Sequence, residues 1–280
     1  MKWLDCAKIK FLLVVFVAAI VFCSGGSANG DFTFGEPTNL GPIVNSSASD
    51  HPSDISTDGL EMYISSDRPG GQGDFDIWVT RRATIYDDWG APENLGPVVN
   101  GPQQDHRPSL SPDGLELYFD SERPGGYGPF DIWVSKRATT DEGWGEPVNL
   151  GPIVNSSSYD GQPSVSADGL SLFYGSTRPG GYGLLDLWVT IRATTDDPWG
   201  TPVNLGPIVN SSVGDWAPSI SSDGLLIVFA DYWQMSGRPG GFGGTDLWLS
   251  LRPTKDAEWQ TPVNLGPLIN TAAGEDEPVI

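Results

Sequence analysis

Residues 163–192 read PSVSADGLSLFYGSTRPGGYGLLDLWVTIR, and this stretch decides the fold. Pro163 to Ser166 is a short strand, Ala167-Asp168-Gly169 a tight hairpin turn whose glycine accepts a positive φ, and Leu170 to Tyr174 the returning strand. Gly175 to Gly183 is a Pro/Gly loop that breaks any helix, and Asp186 to Arg192 is a third strand rich in β-branched and aromatic residues. The stretch around Pro202 to Leu205 gives a short fourth strand, and no window of helical period competes.

Outward from this unit the same marks recur. NLGP begins at Asn39, Asn94, Asn149, Asn204 and Asn264, at spacings of 55, 55, 55 and 60. SxDG begins at Ser56, Ser111, Ser166 and Ser221, RPGG at Arg68, Arg123, Arg178 and Arg238, and D[IL]W at Asp76, Asp131, Asp186 and Asp246. Units of about 34–88, 89–143, 144–198 and 199–258, with a partial fifth over 259–280, therefore predict an all-β fold, a β-propeller of four-stranded antiparallel blades. Two tryptophans recur in each unit (Trp78 with Trp89, Trp133 with Trp144, Trp188 with Trp199, Trp248 with Trp259), as inter-blade packing requires. Outer-strand candidates near Pro37, Pro92, Pro147, Pro202 and Pro262 outnumber the four of every other strand. Overlap of the two ends is the expected closure, because an unpaired sheet edge invites aggregation. Glu277-Pro278-Val279-Ile280 reads as the opening of another inner strand.

The segments SPDGLELYF, SERPGG and DIWV resemble the WD-repeat-like β-propeller repeats of TolB-type periplasmic proteins, over about residues 34–270. The resemblance implies that the SPDG-type segment forms the innermost strand and D-I-x-V the third. It also implies that the outer-to-inner and second-to-third-strand loops share one face. The 55-residue period exceeds the usual blade length of that family, and nothing here corresponds to the separate N-terminal domain of TolB, so no TolB partner or binding residue is carried over.

Lys2, Lys8 and Lys10, the apolar run Phe11 to Phe22, and the small residues up to Ala28 have the three regions of a secretory signal peptide over residues 1–28, with cleavage expected after Ala28 and the propeller over 29–280. The run is too short for a comfortable membrane span, and Phe22 before Cys23 departs from the small residue a lipoprotein signal wants. Both cysteines, Cys6 and Cys23, lie in this leader, so the mature chain has neither a disulfide nor a thiolate ligand. The expected location is secreted or periplasmic. Beyond the leader stand 12 basic and 35 acidic residues, which disfavours nucleic acid as a partner and adsorption to anionic lipid.

Binding residues concentrate on long loops held by a rigid scaffold, so the long-loop face is the expected site. Asp50, Asp105, Asp160 and Asp215, with Glu275 fifth, precede the inner strands and are expected to ring the mouth of the central channel, where carboxylates suit a cation or sugar hydroxyls. The plainer reading is that each caps its own loop. An Arg–Asp pair between RPGG and D[IL]W in every blade is the structural reading of those two marks. What breaks the symmetry points further: Trp216 follows Asp215, and Tyr232 and Trp233 lie in an insertion that lengthens the same unit's second loop. With Tyr159 and the loop aromatics Tyr127, Tyr182 and Phe242 they suggest a stacking platform for saccharides, the alternative being an insertion that only plugs the channel.

His51 and His106 occupy equivalent positions in adjacent units and suggest proximity, but exposed loop histidines without a metal are commoner, so no metal and no cofactor is expected. GGQGDFD near Gly70 places its last aspartate one residue late for a calcium turn. The NSS sequons at Asn45, Asn155 and Asn210 matter only in a glycosylating host. No G-x-S-x-G elbow occurs, and every arginine except Arg107 belongs to the repeat, so no arginine triad is free for sialidase-like chemistry. The sequence thus favours a non-catalytic propeller presenting a loop face to a protein or a cell-envelope polysaccharide. The alternatives are a glycosidase built on a carboxylate pair such as Asp160 and Asp215, or a lectin with one site per blade.

Overall fold

The computed structural model describes residues 34–231 and 237–280. Sixteen strands form four antiparallel four-stranded sheets, each drawn from one consecutive stretch of chain. The first blade holds β1 (Asp50–Ile55), β2 (Glu61–Ser66), β3 (Asp76–Arg81) and β4 (Glu93–Asn94). The second holds β5 (Asp105–Leu110), β6 (Glu116–Ser121), β7 (Asp131–Lys136) and β8 (Val148–Asn149), and the third β9 (Asp160–Val165), β10 (Ser171–Ser176), β11 (Asp186–Ile191) and β12 (Val203–Asn204). After the one-turn helix α1 (Gly206–Val209), the fourth holds β13 (Asp215–Ile220), β14 (Leu226–Asp231), β15 (Leu247–Leu251) and β16 (Val263–Asn264). The result is a β-propeller of four blades, as the repeat predicts.

The cores lie in the seams between blades. Tyr63 of β2 packs with Phe119 and Trp133 of the second blade, Tyr118 with Tyr174, Trp188 and Trp199, and Phe173 with Phe229, Trp248 and Trp259. Each repeat arginine lies over a repeat tryptophan: Arg82, Arg137, Arg192 and Arg252 at 4.2, 4.3, 4.3 and 4.4 Å from the rings of Trp89, Trp144, Trp199 and Trp259. Inner strands are also linked in series. Asp54 Oδ2 accepts the Leu110 N–H at 2.7 Å, Ser109 Oγ that of Val165 at 3.1 Å, Ser164 Oγ that of Ile220 at 3.2 Å and Ser219 Oγ that of Ile280 at 3.1 Å.

That last link corrects the expected closure. Among the described residues no sheet shares strands between the two ends; β16 completes the fourth blade, and the stretch near Pro37 lies in no strand. Residues 275–280 instead lie beside β13, where an inner strand of a fifth unit would fall.

Candidate functional site

Each inner strand carries an irregularity at the same register, and this builds the site. Pairing of β5 with β6 shifts between His106 and Ser109, and that of β13 with β14 between Trp216 and Ser219. The bulged residues Arg107, Gln162 and Ala217, and Glu277 at the matching position of the last segment, have φ of 51°, 59°, 47° and 51°, a left-handed backbone uncommon outside glycine. A proline follows each one (Pro108, Pro163, Pro218, Pro278). Arg107, Gln162, Ala217 and Glu277 all line one small axial cavity of about 30 Å³. The scaffold repeats, but the residue it offers to the axis changes from blade to blade.

Around this point a buried polar cluster gathers. Arg107 bridges two carboxylates, with Nε 2.8 Å from Glu277 Oε1 and Nη1 3.3 Å from Asp120 Oδ2. Tyr159 donates its hydroxyl to Asp120 Oδ2 at 3.0 Å, and His51 Nδ1 stands 2.8 Å from Glu277 Oε2. The His51 and His106 rings are 5.5 Å apart, Phe75 lies 4.3 Å from His106, and Arg107 sits 5.6 Å over the Trp216 ring. His106 Nε2, Asp120 Oδ1 and Gln162 Nε2 are buried with no hydrogen-bond partner among the described residues.

The electrostatics follow from burial and from the arginine. Burial pushes the Asp120 carboxyl up to about 6 against the pull of Arg107. Burial pushes Glu277 the same way, but the charges of His51 and Arg107 outweigh it and hold this carboxyl below the usual range. His51 is raised, since Glu277 overrides the effect of its burial, whereas burial and Arg107 keep His106 neutral. Adjacent blades therefore do bring the two histidines together, and their acidic neighbour is Glu277. No group of three or more metal-ligating side chains occurs among the described residues.

The residues expected from sequence fall in different places. Asp105, Asp160 and Asp215 are fully buried and Asp50 nearly so, and none of them lines the small axial cavity. Each caps its own loop, accepting the N–H of Ser46, Gly101, Ser156 or Ser211, as Glu275 does for Thr271. Each also holds its blade's RPGG arginine: Arg68 on Asp50 at 2.6 Å, Arg123 on Asp105 at 2.5 Å, Arg178 on Asp160 at 2.6 Å and Arg238 on Asp215 at 2.9 Å. The expected pairing of RPGG with D[IL]W is thereby corrected. Asp131 of that motif takes the Tyr127 and Gly128 N–H groups at 2.6 and 2.9 Å and the Asn149 amide at 2.8 Å, pinning the RPGG loop without the arginine.

Trp216 is buried, donating Nε1–H to Asp231 O at 3.1 Å, and it faces the cluster through Arg107. Tyr159 enters the cluster with its hydroxyl. Tyr232 and Trp233 lie outside the described residues. Tyr127, Tyr182 and Phe242 are about half exposed on their pinned loops. Asn155 and Asn210 are buried, each clasping a strand backbone, so their sequons offer no acceptor in the folded chain. Sequence reading missed Asp120, Gln162 and Glu277. The available signal was register: Pro52, Arg107, Gln162, Ala217 and Glu277 align, and so do Ser65, Asp120, Gly175 and Ala230.

A second, larger cavity of about 550 Å³ opens on the opposite face, among the hairpin turns.

No family model and no curated protein matches this sequence. Among solved structures, TolB from Acinetobacter baumannii is 16% identical with a TM-score of 0.50 over 79% of this chain and 45% of its own. The putative TolB from Agrobacterium tumefaciens is 22% identical with a TM-score of 0.48 over 75% and 64%. This chain thus spans less than two thirds of either TolB structure. The GH43 endo-arabinanase from Bacillus licheniformis is 15% identical with a TM-score of 0.51 over 77% and 79%. Likeness at these identities extends to the propeller fold, which it shares with both a TolB protein and a glycoside hydrolase.

Proposed function

We propose that this chain is an exported propeller, secreted or periplasmic, that binds a protein or a cell-envelope polysaccharide at the axial mouth of its long-loop face without turning it over. The observation that carries this reading is that the axial carboxylates are already neutralised from within. Arg107 lies between Asp120 and Glu277, and about 30 Å³ remains beside it, room on the order of one or two waters. A glycosidase needs a sugar ring and a water between its carboxyls, and an arginine stands there instead. Half-exposed Tyr127, Tyr182 and Phe242 on pinned loops offer the rigid stacking faces that saccharides and proteins use. Trp216, Trp233, Tyr232, Asp215, Asp160, Tyr159, Asp105 and Asp50 remain the ligand-side residues proposed from sequence, with the buried aspartates supporting the loops.

Glycan-array binding followed by calorimetry tests this, on the mature protein and on Trp233→Ala. One ligand per chain, lost in that variant, supports a single asymmetric site. Stoichiometry near four, insensitive to Trp233 and reduced in Tyr182→Ala, supports a lectin with one site per blade at the RPGG loops. Catalysis keeps one specific argument: Asp120, raised to about 6, stands beside an ionised Glu277, the split that acid and base roles require. Glycoside turnover abolished by Asp120→Asn would replace the binding reading with that one.

A further inference from the structure

The turn-face cavity contains a feature that the repeat itself interprets. Arg137 and Arg192 each reach back to a glutamate of the preceding blade: Arg137 Nη2 to Glu61 at 3.6 Å and Arg192 Nη2 to Glu116 at 2.9 Å. Arg82 is their counterpart in the first blade. It is anchored in the same way, with Nε donating to Gly59 O at 2.8 Å and its guanidinium 4.2 Å over Trp89. The sector before the first blade is taken by residues 275–280, and among the described residues no carboxylate there lies within ion-pair distance of Arg82. The Nη1 of Arg137, Arg192 and Arg252 also donates to a carbonyl, of Thr140, Thr195 and Lys255 respectively. Among the described residues neither Nη of Arg82 makes a hydrogen bond or ion pair.

This end of the guanidinium, without a protein partner among the described residues, lines the 550 Å³ cavity, within the size range of small-ligand pockets. The wall around it is mixed, with Ile85 and Ile55 beside Ser56, Thr57 and Asp58 of the neighbouring turn. Ile85 stands in register with Thr140, Thr195 and Lys255, and a Cβ at Gly59 would meet Ile85 Cγ2 at 3.3 Å and Arg82 Nη2 at 3.5 Å, so charge and apolar surface adjoin. Ile55, Ile220 and Ile280 continue the apolar part of the lining, and Ser164 and Asp54 add polar groups to it. One guanidinium matches one carboxylate in bidentate fashion, and Asp54 on the same wall opposes any ligand with a second negative charge.

We propose that the turn-face cavity binds a small organic monocarboxylate with an apolar body, its carboxylate taking at Arg82 the place that Glu61 and Glu116 fill at Arg137 and Arg192. The site lies on the face opposite the axial cluster and does not depend on the function proposed above.

Calorimetric titration of the full chain with octanoate, and with 1-octanol as its uncharged counterpart, tests it. Octanoate is expected to bind once per chain. Arg82→Gln should weaken it at least tenfold, while Arg252→Gln, the same change at the equivalent blade-four position, leaves it unaltered. Ile85→Glu, at a side chain 52% exposed, supplies a competing carboxylate beside Arg82 and should also weaken octanoate at least tenfold without touching the core. Octanol should respond to neither Arg82→Gln nor Arg252→Gln. No octanoate binding at millimolar concentration, or equal binding by wild type and Ile85→Glu, overturns the proposal. The second criterion decides even if Arg82→Gln does not fold.

Discussion

Asp54 occupies the register at which every other described blade has serine: Ser109, Ser164 and Ser219. All four accept the N–H of the next inner strand, but only Asp54 must keep a charge buried to do so. Burial pushes its carboxyl up to about 6, against the hydrogen bonds from Leu110, Ile55 and Ser109. A raised acid favours the folded state fully below the unfolded value near 4, and that contribution is lost as pH rises through about 6. Asp54→Ser keeps the acceptor and removes the charge. We expect it to be more stable than wild type at pH 7.5 by roughly 1–2 kcal/mol, with the advantage gone by pH 4. Urea denaturation of both chains at the two pH values checks this; an advantage independent of pH would rule the ionisation out as its cause.

At the scale of the element, the asparagine that closes the GPxxN loop after each blade's outer strand determines how one unit grips the next. Asn155 accepts the Ile132 N–H at 2.8 Å and donates to Ile132 O at 3.0 Å, and Asn100, Asn210 and Asn270 do the same for Ile77, Leu187 and Leu247. Only an amide can both accept and donate across a strand this way. Asn155→Asp retains the acceptor and sets a carboxylate against a carbonyl, so a loss of about 2–4 kcal/mol is expected, visible as a lower midpoint in thermal unfolding. Such elements were legible because their marks recur; which marks touch was not. Arg68, Asp50 and Asp76 recur together, and a period reports only that partners share it. The pairing Asp50↔Ser66 in β1 and β2 puts Asp50 beside Arg68, whereas Asp76 is turned to the backbone of Gln72 and Gly73.

For the whole molecule, the repeat predicts blades and seams, but the axial cluster consists of the positions where the repeat disagrees with itself. Trp216 stands out by residue type, while Arg107, Asp120 and Glu277 are ordinary residues whose meaning depends on the inner strands and the 275–280 segment converging. The same cluster joins the ring across its ends. Glu277, in the segment beside β13, reaches His51 of the first blade and Arg107 of the second, and no sheet spans that sector. Glu277→Ala is therefore expected to cost about 3–5 kcal/mol by leaving Arg107 and His51 partly unpaired. The double change with Arg107→Ala should cost less than the sum of the single changes by roughly 1–3 kcal/mol. Glu277 is held below its usual range, so its contribution is present above the unfolded value near 4.3 and is lost as pH falls. His51 is raised, so its share is present below about 6.5 and is lost as pH rises through its folded value. The gap between wild type and Glu277→Ala should thus be widest between about pH 5 and 6.5 and narrow on either side. Hydrogen exchange locates the effect: amides of β13 and of residues 275–280 should exchange faster in Glu277→Ala while those of β6 and β10 keep their protection. Uniform acceleration across all four blades would show that Glu277 supports the fold generally and does not join its ends.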